Sequence, residues 1–96
     1  MKIQTFDNVW DAISPTTEEA ENMKVRSQLA IALNGLIEKR GLTTSEAAKL
    51  LGVSQPRISE LAKGKIHLFS VDKLINMLAN AGMHIGRIEI SESVAA

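Results

Sequence analysis

Gln55, Arg57 and Glu60 lie within six residues of one another, and Lys63 and Lys65 follow directly. A Gln amide can bond an adenine edge at two points, an Arg fork matches guanine O6 and N7, and a Glu carboxylate can accept from cytosine. Ser59 shares the same stretch, and Pro56 can offer only an apolar contact to a thymine methyl. Thr43, Thr44 and Ser54 supply short hydroxyl donors, and Lys63 and Lys65 supply charge, which are the groups that grip phosphates. The chemistry on offer is recognition of a duplex, not bond making. His67 and His84 are the two histidines and there is no Cys, so no metal-ligand spacing arises. No Ser-His-Asp arrangement and no Gly-rich phosphate loop can be assembled either. The expectation is a chain with no catalytic role, no metal and no cofactor.

Side chains can read base edges only if something rigid presents them. Leu42–Lys65 reads LTTSEAAKLLGVSQPRISELAKGK. Thr43 with Glu46 three residues on is a capping box, so a helix is expected over 44–51, ending at Gly52. Ser54 caps a second helix over 55–63, and Pro56 is tolerated in its first turn. The three residues Gly52-Val53-Ser54 are too few to let these helices lie antiparallel, so they must cross steeply. The crossing calls for a small residue on the first helix, and Ala48 provides it. Gly52 provides φ > 0 at the turn. Ala47, Leu51, Val53, Ile58 and Leu61 fall at the apolar positions beneath both helices. These features in register predict a helix-turn-helix over 44–63. Setting aside Ile58, Leu61 and Ala62, the outward face of the second helix is Gln55, Pro56, Arg57, Ser59, Glu60 and Lys63. A recognition helix meets base edges in its first turn, where Gln55 and Arg57 stand. Glu60 can either accept from a base or hold Arg57 at i, i+3. Lys49 lies on the first helix and reads equally well as a solvated residue.

The flanking segments complete the frame. Phe6, Val9, Trp10 and Ile13 form the stripe of a short amphipathic helix that ends near Ser14-Pro15. Thr16, with Glu19 three residues later, opens a long helix that runs to Arg40 and stops at Gly41. Its apolar face is Met23, Ala30, Leu33, Leu36 and Ile37, with Leu29 beside it. Ser70 caps a last helix over 71–81, with Leu74, Ile75, Met77 and Leu78 inward. Beyond Gly82, the β-branched run Met83–Ile90 predicts one strand carrying Met83, Ile85, Ile88 and Ile90, kinked at Gly86. A lone strand needs a partner for its backbone groups, so it is expected to pair with its copy in a second subunit.

The predicted architecture is therefore all-α: a five-helix bundle with an N-terminal helix and one dimerising C-terminal strand. The expected divisions are an arm at 1–15, a DNA-binding domain at 16–82, the strand at 83–90 and a tail at 91–96. At 96 residues the chain can build one core but not two domains. Without a signal-like apolar run, a membrane-length span or Cys, it is expected to be soluble, cytoplasmic and free of disulfides.

The eleven Lys plus Arg balance eleven Asp plus Glu, which at first sight argues against a nucleic-acid binder. The neutrality is an average. Residues 24–73 hold nine basic and four acidic residues, for +5, whereas 1–23 carry −4 and 74–96 carry −1. A basic centre lies between an acidic N-terminal region and a mildly acidic tail. That distribution allows a phosphate-facing surface and leaves an acidic arm for a basic partner.

With these residues in view, Leu42–Ala81 resembles the XRE/Cro-type helix-turn-helix family, whose core takes forms such as GVSQPRISEL…GK. The wider pattern, FDNVWDAI, a long helix, then LTTSEAAKLLGVSQPRISELAKGKIHLFSVDKLINMLANAGMHI, resembles small prokaryotic XRE proteins often described as HigA-type antitoxins. The resemblance implies a helical bundle, a homodimer on a palindromic operator and repression of its own promoter. For antitoxin members it implies a RelE/HigB-like ribonuclease toxin as partner. It places Gln55, Pro56 and Glu60 at base-facing positions and Thr44, Lys63 and Lys65 at phosphate-facing ones. Pro56 departs from the polar residue often found there, which shifts the burden of reading to Gln55 and Arg57. Two other readings stand beside it: a stand-alone or phage-derived regulator without a toxin, and a protein-binding adaptor. Gln55, Arg57, Lys63 and Lys65 speak against the adaptor. The ending Ser93-Val94-Ala95-Ala96 resembles the tags read by bacterial ATP-dependent proteases, or is simply a frayed end.

Overall fold

The computed structural model describes residues 16–92. They form α1 (Thr17–Lys39), α2 (Thr44–Leu51), α3 (Gln55–Ala62), a single 3-10 turn (Ile66–Leu68) and α4 (Val71–Asn80). Each α-helix opens on a local side-chain cap. Thr16, Thr43, Ser54 and Ser70 accept from the backbone N–H groups of Glu19, Glu46, Arg57 and Lys73. At α2 the cap is reciprocal: Thr43 N–H donates to Glu46 Oε1 at 2.8 Å while Glu46 N–H donates to Thr43 Oγ1 at 3.1 Å. The Ser and Thr caps named from sequence are therefore in place, and helix ends differ from expectation by about one residue.

α1 is the spine against which the rest assembles. It packs chiefly on α4, and also on the 3-10 turn and α3, while α2 packs on α3 and α4. One continuous core joins Ala30, Leu33 and Leu36 of α1 to Ala47, Ala48 and Leu51 of α2, Ile58 and Leu61 of α3, Phe69, and Leu74, Met77 and Leu78 of α4. Leu33, Leu51, Leu61, Leu74 and Met77 are fully enclosed. Met23 is buried outside that cluster, under the first half of α1.

Two expectations about the architecture need correction. The five-helix bundle is reduced to four α-helices among the described residues, because the helix expected at Phe6–Ile13 lies outside them. The strand expected over 83–90 does not form. That segment carries no strand pairing, and Met83, Ile85, Ile88 and Ile90 are exposed at 39%, 42%, 70% and 89%. The reason is physical. β-branched composition favours an extended backbone, but a strand exists only where a neighbour takes up its N–H and C=O groups, and no described segment of this chain does so. With no ladder there is no bulge at Gly86, whose φ is not in the left-handed region. The tail residues 93–96 also lie outside the described part.

Candidate nucleic-acid interface

The turn between α2 and α3 depends on Gly52. Its φ of 74° is left-handed, and its N–H and that of Val53 both return to the Ala48 carbonyl, at 2.9 and 3.1 Å. That double closure ends α2 abruptly and launches α3 from Ser54. Ala47, Ala48 and Leu51 face α3 and the core from one side, Ile58 and Leu61 from the other, with Val53 partly buried between them. The small side chain of Ala48, 8% exposed, sits in the core cluster as the sequence pattern required.

Two amides reach in from the scaffold and hold the ends of both helices. Asn80 Nδ2 of α4 donates to the Leu51 carbonyl at 3.0 Å, and Asn34 Nδ2 of α1 donates to the Leu61 carbonyl at 3.2 Å. Both acceptors are last-turn carbonyls; that of Leu61 also accepts from the Gly64 N–H at 3.1 Å. The α2–α3 unit is thus fixed from behind by two side chains that sequence reading did not single out. A signal was present for Asn34: with Ala30, Leu33 and Ile37 it falls on the apolar stripe, where a polar side chain must find a partner.

The outward face carries the residues named from sequence. Gln55, Pro56, Arg57 and Ser59 are exposed along α3, and Glu60 is partly buried. Arg57 Nη1 donates to Glu60 Oε1 at 2.8 Å, so the Glu60 carboxylate is engaged with its own helix. The Arg57 guanidinium carbon lies 5.7 Å from the centre of the Phe69 ring, within cation–π range. Phe69 is itself a residue that sequence reading passed over. Its place just before the cap Ser70, with Leu74 four residues into α4, is the spacing of a hydrophobic staple.

Thr43, Thr44, Ser54, Lys63 and Lys65 are all exposed. Thr43 and Ser54 use their hydroxyl oxygens as acceptors for the caps, which leaves each hydroxyl proton available to donate. Gly64, at φ 78°, turns the chain after α3 and separates the two lysines. Neither lysine makes an ion pair among the described residues, where the pairs are Lys24–Glu21, Arg57–Glu60 and Arg87–Glu89. Two unneutralised cations at the C-terminal end of α3, and a face of amide and guanidinium donors at its start, suit a polyanion with readable edges. Among the described residues no group of His, Cys, Asp or Glu is arranged to hold a metal, and no helix is long and apolar enough to cross a membrane.

The sequence model of the helix-turn-helix domain family matches residues 14–91. The chain belongs to that family. Its α2 and α3 are accordingly the helix-turn-helix pair, with α3 in the place of the recognition helix. A solved protein assigned as an XRE family transcriptional regulator is 32% identical, covers 81% of this chain with 90% of its own, and superposes with a TM-score of 0.71. The helix-turn-helix is therefore of the XRE type. No curated protein matches the sequence significantly. Family and fold are those of a DNA-binding regulator and not of an enzyme.

Proposed function

We propose that this XRE-type protein is a sequence-specific transcriptional repressor that binds a palindromic operator as a homodimer and serves as the antitoxin of a type II toxin–antitoxin pair, repressing its own operon. The observation that carries the DNA-binding part is the exposed first turn of α3. Gln55 and Arg57 stand there on a pair of helices locked from behind, with Lys63 and Lys65, which make no ion pair among the described residues, beyond. In this reading Gln55 and Arg57 read bases and Ser59 lies alongside them. Pro56 contributes at most a methyl contact. Thr43, Thr44, Ser54, Lys63 and Lys65 hold phosphates. The exposed apolar side chains of Ile85, Ile88 and Ile90 support a second copy, since large aliphatic groups gain by leaving water. The acidic Glu18, Glu19 and Glu21 at the start of α1, and the net −4 of residues 1–23, suit a basic nuclease as toxin.

The deciding experiment titrates a duplex from the promoter of the protein's own gene, and a random duplex of equal length, at physiological salt. Selective binding to the promoter supports the reading; equal titration of both sinks it. A regulator without a toxin is the second reading, supported by the solved relative assigned as an XRE family transcriptional regulator. A nuclease reading frame beside the gene, and co-purification of its product, separate the two.

A further inference from the structure

Arg57 is held in the free protein from two directions, and the hold leaves one edge of its guanidinium open. The Glu60 carboxylate engages Nη1 at 2.8 Å, and the Phe69 ring lies 5.7 Å from the guanidinium carbon. Phe69 is 2% exposed and anchored in the core, so its position is set by the fold and not by the surface. The Arg57 side chain, by contrast, is 46% exposed. Guanidinium carries five N–H donors in a rigid plane, and Glu60 occupies one. Nε and Nη2, a pair spaced to meet guanine O6 and N7, have no partner within the described chain.

From this geometry we propose that Glu60 and Phe69 are positioning residues that orient Arg57 to read a single guanine through its Nε–Nη2 edge, making Arg57 the principal determinant of sequence choice. This rests on the DNA-binding reading above. An unrestrained arginine on a helix surface pays rotamer entropy when it settles on a base, and its reach lets it settle on a phosphate instead. A guanidinium held close to a ring, and bonded at one corner to a carboxylate, pays less of that cost and has less freedom to choose the phosphate. Glu60 carries a second consequence. Its negative charge repels the backbone, so it lowers affinity for every duplex while raising the contrast between them.

The test begins by selecting duplexes from a randomised library with the wild-type protein. Affinity is then measured for the selected duplex, for versions with each guanine replaced in turn by adenine or by 7-deazaguanine, and for a random duplex. The expected wild-type result is one guanine whose replacement costs on the order of 10-fold or more in affinity. Arg57→Ala removes that preference. Glu60→Gln and Phe69→Leu reduce it several-fold; Glu60→Gln also binds the random duplex as tightly as wild type or more tightly, which loss of fold does not produce. Melting curves establish that each variant is folded, and Glu60→Gln, altering a partly exposed pair outside the core, carries the test if Phe69→Leu is not. Unchanged guanine preference in folded Glu60→Gln overturns the role of Glu60, and unchanged preference in folded Phe69→Leu that of Phe69. A selected site with no guanine sensitive to Arg57→Ala overturns the assignment while leaving DNA binding intact. Failure of the wild type to select any sequence overturns both.

Discussion

The Asn80 amide reaches across from α4 to donate to the Leu51 carbonyl at 3.0 Å, and the same Asn80 Nδ2 lies only 2.8 Å from where a Cβ on Gly52 would stand. One side chain therefore caps the end of α2 and crowds the position that follows it. Replacing Asn80 with Ala strands a last-turn carbonyl and should cost about 1–2 kcal/mol. In a domain of this size that lowers the melting temperature by roughly 4–8 °C for each kcal/mol. Circular dichroism melts check the value. Asn80→Asp should be no better than Ala, because a carboxylate has no proton to donate to the carbonyl.

Gly52→Ala meets two obstacles, a backbone φ of 74° and the close Asn80 amide. The backbone cost is of order 1 kcal/mol, and the contact adds to it. The two are separable by a double-mutant cycle with Asn80→Ala. Once Asn80 is gone only the backbone cost remains, so the double variant should be more stable than the sum of the singles predicts. Strict additivity in denaturant titrations would mean that the amide moves aside freely.

Base-facing and phosphate-facing residues should fail differently on DNA. Gln55→Ala is expected to cost about 1–3 kcal/mol on a selected operator and little on a random duplex, relaxing specificity. Lys65→Ala should weaken both alike and reduce the salt dependence of log K by about one unit of slope. Fluorescence anisotropy across a salt series distinguishes the two patterns.

The proposed homodimer predicts that aspartate at both Ile88 and Ile90, which are 70% and 89% exposed, shifts sedimentation toward monomer without lowering the monomer's melting point. Persistence of the dimer in that variant would place the interface elsewhere on the chain.

What could be read in the sequence was what is settled within a few residues. The caps at Thr16, Thr43, Ser54 and Ser70 and the left-handed turn at Gly52 follow from short-range geometry, and so does the turn itself. The amide clamps join residues 27 and 29 positions apart, so no local pattern announces them. Phe69 reaches Arg57 only once the 3-10 turn has folded back on α3, and its role was invisible for the same reason. The misread strand is the converse. Residues 83–90 have the local composition of a strand, but a strand is a relation between two segments, and composition describes one.

The long α1 also implies a gradient in amide hydrogen exchange along its length. From Thr17 to Gln28 only Met23 is buried, whereas Ala30, Leu33 and Leu36 are locked into the core. A helical stretch of about a dozen residues has little stability of its own in water. The first three turns should therefore exchange by fraying, in steps too small to disturb the rest. The amides near Asn34, and those of α2 and α3 behind the two asparagine clamps, should exchange only when the whole domain opens. Among the described helices, the pair that carries the recognition residues would then be the slowest to unfold, and the acidic leading end of α1 the quickest.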